Sequence, residues 1–293
     1  MRQIRIHSES IRTGAEFTSK GNQKKWYQDG YWYKANQFGY EGIAEALCSE
    51  LLMEMTAEME QPLLAPVTRY EPVELLVDGK QLLGCRSRDF RREGWQLIPL
   101  ERLYRAHTGQ SASEMLAQIR DTKQRIKHLV DFVVRSTGLE DFGAYLTLML
   151  EMDALFLNED RHLNNIAVLW NAKTDEYDYC PYYDMGLSLF ADTREDFPLD
   201  LDYEACRGRI HSKPFDRDFD VQLDAAQELY GYHLKFPWSG AGLRKTVEKF
   251  FDRYPEVDER IRKRVVETVV MQGRRLNCNP RFHTTYPRWS IKQ

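Results

Sequence analysis

The pattern of apolar and polar positions changes character near residue 90. Before it the chain reads as strands wrapped around one helix, and after it helix dominates. Residues 1 to 37 read as strands, with Gln28-Asp29-Gly30 as a turn signal and Tyr31-Trp32-Tyr33-Lys34-Ala35 as an aromatic strand behind it. From Glu41 to Met59, Ile43, Leu47, Leu51 and Met55 recur one turn apart, which marks a helix face, and Pro62 and Pro66 end it. Val67 to Leu76 and Gln81 to Ser87 are strands joined across Asp78-Gly79, a pair suited to a tight hairpin turn.

The second part predicts a short helix over Leu100–His107, a long one over Ala112–Thr137 and another over Asp141–Phe156. Strand follows at Ile166–Trp170, a turn at Asn171–Asp175 and strand again at Tyr177–Tyr182. Residues 191 to 218 read as irregular, with Pro198 and Pro214, before helices over Val221–Tyr230, Leu243–Arg253 and Val257–Leu276. The expectation is an α+β chain: a small mixed lobe over residues 1–90, then a larger helical lobe over 91–293 that contains one hairpin. A cleft between two such lobes is a common seat for a ligand.

Composition narrows the function. At 293 residues and 42% hydrophobic content the chain can bury a real core, so it is globular rather than disordered. A net charge of −4 argues against non-specific nucleic-acid binding, and the basic pairs Lys24-Lys25, Arg91-Arg92 and Arg274-Arg275 are short. Five scattered cysteines without a CxxC spacing point away from a disulfide framework or zinc cluster and toward a reducing cytoplasm. MRQIRIHSES lacks the apolar core of a signal peptide. The most apolar helical stretch, Ala144 to Leu157, is broken by Glu151 and Asp153 and is too short to span a membrane.

The candidate chemistry gathers in NEDRHLNNIAVLW, residues 158 to 170. Asp160 stands five residues before Asn165. Phosphoryl transfer uses this D-x-x-x-x-N spacing, with the Asp receiving or orienting a hydroxyl proton and the Asn turning back to hold a metal ion. A solvated loop with capping residues is the bland alternative. Asp184-Met185-Gly186, at the end of the hairpin, resembles the D-F-G segment of protein kinases, whose carboxylate binds Mg²⁺. Lys34 is a candidate to grip nucleotide phosphates and pair with a helix acid. Glu41 and Glu45, one turn apart, both fit that partner's place, and both also suit the helix dipole. Gly21-Asn22-Gln23-Lys24-Lys25 is a candidate phosphate-covering loop. His162 has no second His or Cys at ligand spacing, so it reads as a packed histidine that keeps the loop in shape rather than a zinc ligand.

Asn158-Glu159-Asp160-Arg161-His162-Leu163-Asn164-Asn165 resembles the N-x-D-R-H-x-x-N loop of HipA-like serine/threonine kinases. Gly21-x-Gln23-x-Lys25 resembles that family's phosphate loop, and Ser212-Lys213-Pro214-Phe215 resembles a further segment of its large lobe. The resemblance runs from about residue 15 to about residue 275. It implies a two-lobed protein-kinase-like fold and transfer of the γ-phosphoryl group of ATP, with Mg²⁺, to serine or threonine of a protein. It implies Asp160 as base, Asn165 and Asp184 as metal ligands, and Lys34 on the phosphates, paired with Glu41 ahead of Glu45. Gly21, Gln23 and Lys25 would cover the phosphates, and the linker Arg86–Phe90, with Arg88, would meet the adenine. Self-phosphorylation at Thr18 or Ser19 and an antitoxin partner belong to the same expectation. So does a short, single-unit architecture without the extra N-terminal subdomain of longer members. Two rivals share the fold: a kinase for a small molecule or lipid, and a catalytically silent binding module. The presence of Lys34, Asp160, Asn165 and Asp184 together speaks against the silent module.

Overall fold

The computed structural model describes residues 1–7, 11–12, 23–57, 63–278 and 283–284. In the first part, β1 (Arg2–Ile6), β2 (Ile11–Arg12), β3 (Lys25–Gln28) and β4 (Tyr31–Ala35) precede helix α1 (Glu41–Ala57) and the hairpin β5 (Tyr70–Val77) and β6 (Lys80–Arg88). They form one six-stranded sheet in the order β1-β5-β6-β4-β3-β2, with β1 parallel to β5 and the other pairs antiparallel. Both tight turns use an Asp-Gly pair with positive φ at each residue, Asp29-Gly30 and Asp78-Gly79, as the right-handed strand twist requires.

Alternation along β4 sorts its side chains. Tyr33 and Ala35 enter a small core with Ile6, Trp26, Val73 and Leu75, which leaves Lys34 on the opposite face, toward α1. That face is unusually close to the helix. A Cβ on Gly84 would lie 2.0 Å from the carbonyl oxygen of Lys34, and one on Gly42 would lie 2.5 Å from the Gly84 carbonyl. Strand β4, strand β6 and the start of α1 therefore stack backbone on backbone, and this fixes how far the acids of α1 stand from Lys34.

The second part begins with β7 (Trp95–Pro99), α2 (Leu100–Thr108), α3 (Ala112–Gln118), α4 (Thr122–Thr137) and α5 (Phe142–Phe156). It continues with β8 (Ala167–Asn171), β9 (Glu176–Tyr179), α6 (Tyr203–Arg207), α7 (Phe219–Tyr230) and β10 (Lys235–Phe236). Helices α8 (Gly240–Asp252) and α9 (Glu259–Cys278) and strand β11 (His283–Thr284) follow. Helix α5 is buried on every side and forms the axis of the main core.

Three expectations change. The single helix over 112–137 is two, because Ile119 is extended and Asp121 restarts the chain as an N-cap, accepting from Gln124 N at 2.9 Å. The hairpin is a three-stranded sheet, because β7 pairs with β8 from Trp95↔Asn171 to Pro99↔Ala167. The last strand stops at Tyr179, because Tyr182 turns to pair with the segment before β5: Thr68 N donates to Tyr182 O at 2.8 Å, and Tyr182 N to Pro66 O at 2.9 Å. That bridge ties the two parts of the chain together just before Asp184. Cys48, Cys85, Cys180 and Cys206 are free and buried.

Candidate active site

Lys34 is nearly enclosed, and its Nζ donates to two carboxylates, Glu45 Oε1 and Asp184 Oδ1, each at 2.6 Å. Its ammonium also sits 5.1 Å from the centroid of the Tyr70 ring. The helix acid beside Lys34 is thus Glu45, and the expected pairing with Glu41 does not form. Glu41 opens α1, and its carboxylate curls back to accept from Gln37 N, Phe38 N and Gly39 N at 2.6–2.8 Å, holding the turn from β4 into the helix. Glu45, one turn later, stands on the face that meets β4. Its second oxygen accepts from Met185 N at 2.8 Å.

The loop after α5 is built around a buried guanidinium. Arg161 is 1% exposed, and its Nε and Nη2 donate to the two oxygens of Asp153 at 2.8 and 3.0 Å. Its Nη1 donates to the carbonyls of Asn165 and Tyr183 at 3.0 and 2.9 Å. One side chain thereby ties α5, the far end of the loop and the segment before Asp184. Asn158 adds a bond from Nδ2 to Asp153 Oδ1 at 2.8 Å and accepts from Asp160 N at 3.2 Å. Arg161 supplies the side-chain hydrogen bonds that shape this loop. Neither ring nitrogen of His162 has a hydrogen-bond partner, and Nε2 lies 3.7 Å from Asp160 Oδ2. Asp160 Oδ1 accepts from Lys213 Nζ at 3.1 Å.

Asp160, Asn165 and Asp184 line one pocket with Gln23, Phe38, Glu41, Gly186 and Leu187. Asn165 Nδ2 donates to Asp160 O at 2.9 Å, which leaves the amide oxygen as its donor atom toward the pocket. Asp184 is held at φ 62°, a left-handed backbone that costs a non-glycine residue energy, and this sets its carboxylate against Lys34. The positive φ falls on Asp184, while Gly186 has ordinary packing room. Burial works against the charge on Lys34, but Asp184 and Glu45 outweigh it and hold the ammonium well above the usual lysine range. Burial pushes Asp184 up, yet Lys34 and then Lys25 pull it well below the usual carboxylate range. Burial raises Glu45, with Lys34 offsetting only part of that. Two carboxylates therefore share the Lys34 ammonium, with Lys25 acting on Asp184 from the neighbouring strand. An amide oxygen and an ionised carboxylate are hard donors, so the set fits Mg²⁺.

The other candidate residues lie as follows. Lys25 pairs in register with Lys34, so both project from the same face of neighbouring strands. Gln23 lines the pocket and donates from Nε2 to Ala35 O at 3.0 Å. Arg88 is at the exposed end of β6 and is not among the pocket's lining residues. Gly21, Thr18 and Ser19 lie outside the described residues. The sequence reading missed Asp153, Arg161 and Tyr70 as site builders. Asp153 did carry a signal, an acid inside an otherwise apolar helix, which burial tolerates only with a partner. Tyr70, whose partners Lys34 and Asp184 lie 36 and 114 residues away along the chain, carried none.

No helix among the described residues is long and apolar enough to cross a membrane. No protein-family model and no curated protein matches the chain. Among solved structures it is similar to the crystal structure of a Helicobacter pylori proinflammatory kinase, CtkA, with a TM-score of 0.57 over 92% of this chain and 98% of that one. The two sequences are 14% identical, so the likeness speaks for the fold alone. The chain is an α+β protein with a kinase-like fold: a curled six-stranded sheet region followed by a helical part.

Proposed function

We propose that this protein is a HipA-like serine/threonine kinase that transfers the γ-phosphoryl group of ATP to a protein hydroxyl with Mg²⁺. The reading rests on one observation. Lys34, Asp160, Asn165 and Asp184, spread over 150 positions of chain, converge on one site, with Lys34 bonded to Asp184 and the other three side chains lining one pocket. In this reading residues 1–90 form the nucleotide-binding lobe and 91–293 the catalytic lobe. Lys34, kept in place by Glu45, meets the nucleotide phosphates, and Gln23 and Lys25 approach them from the neighbouring strand. Asn165 and Asp184 would hold Mg²⁺, which when bound neutralises charge on the phosphates. Asp160 orients the acceptor hydroxyl and takes its proton, and the Arg161 anchor keeps that carboxylate in place. Chemistry of this kind needs position and charge more than covalent help.

Incubation of the purified protein with γ-labelled ATP and Mg²⁺, followed by mass spectrometry of the labelled sites, tests the reading. Transfer to serine or threonine is expected, with Thr18 and Ser19 among the sites to be mapped. The variant Asp160→Ala should lose about 10²- to 10⁴-fold in turnover while keeping nucleotide affinity. Undiminished turnover in that variant would remove Asp160 from the chemistry, and label recovered only in a small molecule would replace the protein acceptor.

A further inference from the structure

The segment Ser212-Lys213-Pro214-Phe215 has no part in the roles assigned above, yet it is among the most firmly fastened loops of the molecule. Ser212 N donates to Arg217 O at 2.9 Å and Ser212 Oγ to Asp216 O at 2.7 Å. Gln222 of α7 clamps the turn from both sides: its Oε1 accepts from Phe215 N and Asp216 N, and its Nε2 donates to Lys213 O at 3.0 Å. Arg125 of α4 donates to Phe215 O at 2.6 Å, Thr122 donates to Asp216 Oδ2 at 2.7 Å, and the Phe215 ring is fully buried. The product of this anchoring is one ammonium in a fixed place. Lys213 Nζ reaches Asp160 Oδ1 at 3.1 Å from 53 residues away.

Two further observations say what the ammonium is for. The Lys213 side chain is 36% exposed where that of Asp160 is 8%, so of the two partners the ammonium is the one open to solvent. The buried cations near the site are committed elsewhere, Lys34 between Glu45 and Asp184 and Arg161 to Asp153 and two carbonyls. Lys34 serves the metal side of the pocket, and Lys213 stands on the acceptor side. The alternative, that the pair merely closes the loop, is weak, because the loop is already held by its own hydrogen bonds and by those to α4 and α7.

We propose that Lys213 is a further catalytic residue of the transfer step, its ammonium orienting Asp160 and meeting the negative charge of the phosphoryl group in flight. This rests on the kinase reading above. In the step, the acceptor oxygen bonds to the γ-phosphorus as the bond from that phosphorus to the bridging oxygen breaks. The bridging electron pair leaves with ADP, and the hydroxyl proton passes to Asp160. Negative charge sits on the three outer oxygens throughout, and a fixed ammonium beside Asp160 counters it without reorganising.

The test compares the full chain with Lys213→Met, Lys213→Arg and Asp160→Ala, measuring kcat and KM for ATP with casein and with water as acceptors, and the thermal midpoint of each. The inference expects Lys213→Met to lose about 10²-fold in kcat, as when one charge-stabilising donor is removed. KM for ATP and the thermal midpoint should stay near wild type, and Lys213→Arg should recover part of the rate. Wild-type kcat in Lys213→Met, or a loss that tracks a lowered thermal midpoint, overturns the inference and leaves the kinase reading standing. Wild-type protein no more active than Asp160→Ala toward either acceptor overturns the reading, and the inference with it.

Discussion

Two buried ion clusters lie side by side in this protein and are built on opposite principles. Around Arg161 the charges balance: one guanidinium meets one carboxylate, Asp153, in a two-point fork, and its remaining donor goes to two carbonyls. Around Lys34 they do not, because one ammonium is shared by Glu45 and Asp184. A balanced, fully bonded pair inside a core is a fastener, and breaking it exposes an uncompensated charge. An ammonium shared by two carboxylates leaves charge that a further cation can answer, which is where the proposed Mg²⁺ site lies. The difference gives the loop carrying Asp160 its own fastener and leaves the cluster beside it as the proposed ligand site.

The largest expected effect comes from breaking the balanced cluster. Arg161→Met leaves Asp153 buried and unpaired, which costs about 3–5 kcal/mol. Denaturant unfolding should show that loss in the midpoint, and Arg161→Lys should recover little of it, because a single ammonium cannot reproduce the fork. Near-wild-type stability in Arg161→Met would mean that the guanidinium does not fasten the loop.

The unbalanced cluster should respond the other way. Asp184→Asn leaves Lys34 paired with Glu45, so its cost in folding stability should be smaller than that of Arg161→Met. Mg²⁺-dependent nucleotide affinity should fall by about 10- to 100-fold, the range seen when metal sites lose supporting groups. Nucleotide titrations with and without Mg²⁺, beside an unfolding curve, separate the two. An equal affinity at every Mg²⁺ level would take Asp184 out of the site.

The two clusters were not equally legible in the sequence. The candidate site offered local signals, since D-x-x-x-x-N and the acid before Met185-Gly186 are local spacings and Lys34 stood out as a charge in an aromatic strand, but the sequence favoured Glu41 over Glu45. The balanced one was half visible. Asp153 showed as an acid in an apolar helix, but its partner eight residues on is a tertiary fact that no periodicity encodes. The Glu41 pairing failed for a geometric reason: the first residue of the helix can turn its carboxylate back on the N–H groups of the turn before it, and Glu41 does so with Gln37, Phe38 and Gly39. Strand β7 escaped notice because five residues ending in proline read poorly as strand until β8 lies beside them. The hairpins were legible because Asp-Gly turns act locally, and the break in the 112–137 helix sat in plain view as Asp121 three residues before Gln124.

Glu41 and Glu45 sharpen the comparison on one helix. Glu45→Gln weakens a charge-assisted bond to Lys34, worth about 1.5–3 kcal/mol, so turnover should fall by about tenfold. Glu41→Gln loosens the turn before α1 and should cost about 1 kcal/mol of stability; Glu41 also lines the pocket but does not hold Lys34, so turnover per folded molecule should fall less than in Glu45→Gln. Steady-state kinetics paired with thermal unfolding distinguishes them, and a reversed pattern would restore Glu41 as the partner of Lys34.

Glu151 of α5 is a buried acid bonded by N–H groups, with no cation paired to it among the described residues, and it gives the smallest and most specific effect. Its carboxylate accepts from Gln227 Nε2 and Leu234 N, both at 2.7 Å, and from His233 N at 3.1 Å. Burial outweighs these bonds and pushes its pKa up to about 7. An acid whose folded pKa lies above its unfolded value holds a proton that the unfolded chain has already released. The native state therefore loses stability as pH rises from about 4.3, the unfolded value, through about 7, and the loss levels off above that. Glu151→Gln removes the titrating group, so the gap between its unfolding free energies at pH 6 and pH 8 should be smaller than that of wild type by about 1 kcal/mol. Because every other group titrates in both proteins, the difference between the two gaps isolates Glu151. Identical gaps would show that the three N–H donors keep this carboxylate ionised in spite of its burial, and would place it with the balanced cluster rather than apart from it.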